Sequence, residues 1–509
     1  MPLTWHPVEF EFSDVSMPAE PYVADPPAVT FTHPSGERVA LPTFLMGEDA
    51  YAVRFAPPLP GSWTYNVSAP AFDLETSGSF DVEHAPGDHG LHRHGYLTPG
   101  DRCLRHADGT PFFWLADTAW AAGTRATIEE WTRYLDYRAE QGFTAVQVNA
   151  LRQHDGSRPH DRLPFGPDWE RSTPDPAYFA HLDRLVAMAH ERGIVPALVA
   201  LWFDYAPNAN TEWGLADEKR HPHSPAQARQ LGRYLGARYG AYGATWLVSG
   251  DSYFEADFLP TYRAAGEALG TACQYPLRTA HQPGGQSTPS IVNDEPWLDF
   301  HMYQSGHTTD LTQPARQARE CRLLHPTRPV LNGEPCYADM GAHDPDRRFT
   351  REEVRAAAWL SVLGGANAGV TYGALGVWPW HRAGDEFEAA GSWGEPKPWD
   401  EAMELPSADD YGRLREILVP LAFEALSPRP DMLADVSPAV VAVLPEVVLC
   451  YLVDGQAITL HEVPPLADAA WVDPVTGDRS AAAYERDGRD LSVAAPPADG
   501  DALFVGTRV

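Results

Sequence analysis

The sequence predicts an α/β fold: a (β/α)₈ TIM barrel flanked by an N-terminal and a C-terminal β-sandwich. Three observations carry this reading. Residues 1–92 and 429–509 read as short strands with turn breakers, whereas 93–428 alternate strand and helix. The middle region holds eight short apolar runs, the signature of strands covered on both faces. No Gly-rich phosphate loop follows the first run, which argues against a doubly wound nucleotide-binding sheet. A chain of 509 residues also exceeds one ordinary core.

The elements follow in order. In the first region, 29–32 and 51–55 alternate and proline- and glycine-rich breaks separate them, without a helical period. In the middle region, Thr127 and Glu130 form a capping box, Ile128, Trp131 and Leu135 follow at helical spacing, and Gly142 stops the run. Asp175 caps the next helix with Pro176 at its first position. Ser224-Pro225 opens another, and Thr350 with Glu353 forms a second capping box. The apolar runs between the helices are 112–115, 145–148, 195–201, 245–248, 277–280, 298–303, 329–331 and 369–372. In the last region, 440–444, 447–452, 457–460 and 502–505 read as strands.

A net charge of −32 repels phosphate backbones and anionic lipid. Nucleic acid and membrane are therefore not expected partners, and no apolar stretch is long enough to span a bilayer. The five cysteines are odd in number and match neither a disulfide framework nor a zinc motif. With no basic segment and apolar run at the start, a reducing, cytoplasmic location is expected.

In a barrel of this kind, chemistry sits just past the C-terminal strand ends. Those positions hold Asp117 and Trp120, then Asn149, Trp202, Gly250-Asp251, His281, Gln304 and His307, Glu334, and finally Tyr372 with Trp378 beyond it. Asp251 and Glu334 form a carboxylate pair, the minimal equipment for hydrolysing a glycosidic bond. Amides and imidazoles hydrogen-bond hydroxyls, and indole faces stack on sugar rings. Asp251 and Glu334 are thus the catalytic candidates. Asp117, Trp120, Asn149, Trp202, His281, Gln304, His307, Tyr372 and Trp378 are the substrate-binding ones. No tightly spaced metal trio and no serine on a nucleophile elbow is present, so no metal or cofactor is expected. Each acid could instead cap a helix or pair with a base, and the indoles could be core. Two other functions remain open: a metal-dependent barrel hydrolase using His281, His307 and a carboxylate, and a non-catalytic carbohydrate-binding protein.

Several motifs, in the right order, resemble the apiosidase-like bacterial glycoside hydrolases. They are 113–120, 134–143, 246–251, 304–307, 329–337 and 365–373. Residues 51–57 and 61–65 resemble the sandwich that often precedes this barrel. The C-terminal stretch is similar to a small β-domain, sometimes labelled collagen-binding, that commonly follows it; the label is not evidence of collagen binding here. The resemblance implies retention of configuration, with Asp251 as general acid/base and Glu334 as nucleophile. It also implies exo-acting release of a terminal sugar from an oligosaccharide, a pentofuranose such as apiose or arabinofuranose among the candidates. The wider superfamily has Asn-Glu on the fourth strand where this chain has Gly250-Asp251. Aspartate is one methylene shorter, so its separation from Glu334 does not carry over. For the pair to work, Glu334 is expected to be ionised and hydrogen-bonded, and Asp251 desolvated and raised by the Glu334 charge.

Overall fold

The eight apolar runs become eight parallel strands. They are β1 (Trp114–Thr118), β2 (Ala145–Asn149), β3 (Val195–Trp202), β4 (Thr245–Gly250), β5 (Leu277–Thr279), β6 (His301–Tyr303), β7 (Val330–Asn332) and β8 (Gly369–Tyr372). Hydrogen bonding runs in the order β5-β4-β3-β2-β1-β8-β7-β6. A parallel bridge between His281 and Met302 joins the two ends, so the barrel closes beside the fifth and sixth strand ends. This computed structural model describes residues 1–47, 49–87, 89–152, 156–158, 162–165, 173–205, 222–434 and 438–509.

Every residue of β1 and β3 is buried, as the continuous apolar runs require. Two strands start later than expected by two or three residues. Phe112 pairs with Leu104 in a small antiparallel sheet ahead of the barrel, and β1 starts two residues later. Leu298 is held in a turn by Glu295, so β6 begins only at His301.

The longer helices are α1 (Ile128–Glu140), α2 (Pro176–Glu191), α3 (Pro225–Tyr239), α4 (Leu259–Ala272), α5 (Gln313–Arg322), α6 (Arg351–Gly364) and α7 (Ser407–Leu418). Thr127 and Glu130 cap each other's backbone at α1, and Thr350 and Glu353 do so at α6. Ser224 forms the same box with Gln227 at α3, and the Asp175 side chain caps α2. Among the described residues, no helix is long and apolar enough to cross a membrane.

Before the barrel, a four-stranded sheet packs with a three-stranded one. Phe31 and Phe55 stack between them at 4.2 Å. After it, a six-stranded and a three-stranded sheet form the C-terminal unit. That six-stranded sheet takes in Ser427–Pro428, which pair with Val443 and Ala442.

Buried ion pairs join each flank to the barrel. From the N-terminal strand Tyr51–Phe55, Arg54 reaches Asp183 on α2 at 2.7 Å. Asp183 also accepts from Arg238 of α3 at 2.8 Å. On the other side, Arg355 of α6 pairs with Asp410 of α7 at 2.8 Å and with Asp501 of the C-terminal unit at 2.6 Å. All five cysteines are buried and unpaired.

Candidate active site

Glu334 follows β7 through Asn332-Gly333. Asn332 fixes this turn. Its Oδ1 accepts from the backbone amides of Glu334 and Ser305, each at 3.3 Å. Its Nδ2 donates to Ser305 Oγ at 2.8 Å and Ser361 Oγ at 2.9 Å. A Cβ on Gly333 would lie 2.4 Å from Met302 Cγ, so only glycine lets the turn settle onto the barrel floor.

Asp251 follows β4 with a left-handed backbone, φ 48°. Such a conformation costs energy for a side-chain-bearing residue and persists where the surroundings enforce it. Here the Trp202 indole covers Gly250, in the space that a side chain at 250 would need. The glycine of Gly250-Asp251 therefore has a steric reason.

Two imidazoles hold Glu334. His281 Nε2 lies 3.2 Å from Oε2, and His307 Nε2 lies 3.1 Å from Oε1. An ionised carboxylate only accepts, so both nitrogens carry protons. Burial would raise the Glu334 pKa, but the two histidine hydrogen bonds and their charges hold it well below the ordinary glutamate range. Asp251 Oδ1 lies 3.7 Å from the same His281 nitrogen. The facing atoms of Asp251, His281 and Glu334 all fall within 4.8 Å of one another.

A cavity of about 450 Å³ opens over this pair. Trp120, Trp202 and Trp378 form buried walls, and Gln304 and His307 line it beside the two acids. Several buried polar atoms around it have no partner among the described residues: Trp202 Nε1, Trp378 Nε1, Gln304 Oε1 and His307 Nδ1. That set contains both donors and acceptors, which a ligand rich in hydroxyls would satisfy. Tyr337 lines the cavity next to Glu334. Burial first, and the Glu334 charge second, push its phenol well above the usual range, so it remains a neutral donor.

Asp251, Glu334, Trp120, Trp202, Gln304, His307 and Trp378 thus meet around one space. Four predicted substrate contacts do not line it. Asp117 is fully buried and accepts from Arg138 Nε at 2.6 Å and from the Tyr134 hydroxyl at 2.7 Å. It neutralises a buried guanidinium instead of meeting solvent. Tyr372 is buried against Arg138 and Tyr411, with its hydroxyl 3.0 Å from Ser407 Oγ. Asn149 is buried outside the cavity wall, and neither of its side-chain polar atoms has a partner among the described residues. His281 lies behind the wall and touches the carboxylates. Tyr253, Trp393 and His343, unassigned from the sequence, line the cavity. Tyr253 and His343 sit in loops and Trp393 ends the four-residue helix Ala390–Trp393, segments where no periodicity marks them.

Asp251, His281 and Glu334 could also hold a metal ion. Nitrogen–oxygen gaps of 3.2 and 3.7 Å are close to the roughly 3.3 Å edge of a tetrahedron whose metal–ligand bonds are about 2.0–2.1 Å.

The model of the "Apiosidase-like, catalytic domain" family matches residues 98–424. A second model, a domain of unknown function (DUF5060), matches residues 2–70. No curated protein matches the chain. Among solved structures, one described as a glycoside hydrolase is 21% identical with a TM-score of 0.68, over 82% of this chain and 97% of that one. A glycoside hydrolase family 5 protein from Bacteroides vulgatus is 22% identical with a TM-score of 0.68, over 83% and 95%. Another Bacteroides vulgatus structure is 19% identical with a TM-score of 0.70, over 99% of both chains. These likenesses bear on the fold, and the last extends it through both flanking units.

Proposed function

The chain belongs to the apiosidase-like family of glycoside hydrolases, and from that premise we propose that it releases a terminal sugar from an oligosaccharide with retention of configuration. Glu334 is the nucleophile and Asp251 the general acid/base. The observation that carries this reading is the carboxylate pair: oxygens within 4.8 Å, facing one indole-walled cavity. A nearest-oxygen gap this short supports double displacement, whose carboxyl groups stand roughly 5–5.5 Å apart, over inversion, which needs roughly 6.5–9.5 Å to admit a water.

The roles follow from surroundings. Glu334, held low by two imidazole donors, is ionised and ready to attack. In this reading Asp251, as the general acid, carries the proton at the start. It gives its proton to the leaving oxygen and later takes one from the attacking water. The buried indoles Trp120, Trp202 and Trp378 give a sugar ring apolar faces to stack on. The family's description names an apiosidase, so a pentofuranose such as apiose or arabinofuranose heads the glycones to be tested.

The test is a screen of chromogenic pentofuranosides and pyranosides. We expect turnover of one glycone class, and loss of several orders of magnitude in Glu334→Gln and Asp251→Asn. Turnover of that glycoside by either variant at the wild-type rate would remove the assignment. The metal-binding potential of Asp251, His281 and Glu334 supports a second reading, a metal-dependent hydrolase on the same barrel. Activity that a chelator abolishes and zinc restores would favour it.

A further inference from the structure

His281 is fully buried, yet it is the group that reaches both carboxylates. Its ring is fixed on the remaining sides. Trp120 meets it at a centroid distance of 5.3 Å, and Trp202 lies at 6.2 Å, tilted by only 24°. Nδ1 faces Met302 Sδ at 3.4 Å, and thioether sulfur is a weak acceptor. Nε2 is thus its strong hydrogen-bonding edge. It stands 3.2 Å from Glu334 Oε2 and 3.7 Å from Asp251 Oδ1, a difference of half an ångström.

We propose that His281 is a positioning residue whose Nε2–H follows the negative charge, bonding Glu334 in the resting enzyme and Asp251 in the glycosyl-enzyme. The inference rests on the double-displacement reading above. In the first step a Glu334 oxygen bonds the anomeric carbon. The bond from that carbon to the leaving oxygen breaks, and the oxygen takes the Asp251 proton. Charge has then moved from Glu334 to Asp251. In the second step Asp251 takes a proton from water, and the water oxygen bonds the anomeric carbon. The ester bond to Glu334 breaks, and charge returns to Glu334.

A buried carboxylate left without a donor is costly. Rocking one N–H between two oxygens this close supplies a donor at both stages with little motion. His307 is placed differently, with its Nε2 on the other Glu334 oxygen, Oε1. The titratable groups around His281 are Asp251 after β4, Glu334 and Tyr337 after β7 and, through Glu334, His307 after β6. Tyr337 stays neutral, so the two carboxylates set the charge that the imidazole meets.

The test uses His281→Met, which fills the space without a donor, and His281→Gln, which keeps one. The probe is the aryl glycoside found in the screen, in a form whose fast leaving group makes breakdown of the intermediate rate-limiting. The pH profile of kcat/KM reports the resting enzyme, and that of kcat reports the intermediate. In His281→Met we expect the acid limbs of both profiles to move up by about one pH unit or more, because each carboxylate loses a charge-assisted bond. In His281→Gln we expect both limbs to return most of the way to wild type. A shift confined to kcat/KM means that Nε2 serves Glu334 alone, and overturns the handover. Lower rates with neither limb moved overturn it too, leaving a packing role. Product of inverted configuration from the wild-type enzyme would overturn the double-displacement reading itself, and the handover with it.

Discussion

Gly250→Ala adds one methyl group beside the proposed acid/base, and the packing around it sets the consequence. A Cβ built at 250 falls 2.0 Å from Trp202 Cε3 and 2.4 Å from Cζ3. Carbon atoms rest at about 3.5 Å or more, so the indole or the β4 end must shift by about 1.5 Å. The indole cannot yield cheaply. It is 3% exposed and packs against Trp120 at 5.2 Å and Phe203 at 6.1 Å. Overpacking of this kind costs about 1–3 kcal/mol. The functional cost is larger, because both candidates for movement matter: Trp202 walls the cavity, and β4 carries Asp251. Misplacement by an ångström near reacting groups costs about 100-fold in rate. We therefore expect kcat/KM on the best chromogenic glycoside to fall about 100-fold while the variant remains folded. Kinetics and near-ultraviolet circular dichroism indistinguishable from wild type would refute the claim that Trp202 occupies the space of a side chain at 250.

Three further outcomes are expected. Asp117→Asn should lower stability by about 3–5 kcal/mol, because it leaves the buried Arg138 cation without its countercharge; KM measured at low temperature, where the variant stays folded, should be unchanged, and a large rise in KM would return Asp117 to the sugar site. Asp183→Asn should cost a similar amount, because Arg238 loses its countercharge and Arg54 keeps only Glu9. Those guanidinium groups overcome burial and lower the Asp183 pKa, so its stabilisation is complete above the ordinary aspartate value of about 3.9 and disappears as pH falls through the depressed one. The stability gap between wild type and Asp183→Asn should accordingly be flat near neutral pH and close in acid; a gap that widens on acidification would contradict this sign. Finally, a chelator should leave turnover intact, and added zinc should inhibit reversibly by occupying Asp251, His281 and Glu334; activation by zinc would instead support the metal-dependent reading.

The barrel was legible because burial on both faces forces continuous apolar strands, and the run at 369–372 coincides with β8 residue for residue. Capping boxes at Thr127 and Thr350 were equally readable, since they depend on local spacing alone. Strand-end position also brought Asp251, Glu334, Trp120, Trp202, Gln304, His307 and Trp378 to one cavity. The same rule misplaced Asp117 and Tyr372. A strand-end side chain can turn outward, and what decides is a partner distant in sequence: Arg138 for one, Ser407 for the other. The role of Asn332 was hidden for a similar reason. Its hydrogen bonds join β7 to Ser305 and Ser361, pairings that only the closed barrel creates. Tyr253, in a loop, and Trp393, at the end of a four-residue helix, escaped because neither segment is long enough to carry a periodic signal.

The most direct measurement is to trap the intermediate. A 2-fluoro glycoside of the sugar found in the screen slows breakdown more than formation, and peptide mapping then locates the modified side chain. A covalent glycosyl adduct on Glu334, absent in Glu334→Gln, is the predicted result. An adduct on another residue, or steady turnover with inverted product and no adduct, would contradict Glu334 as the nucleophile.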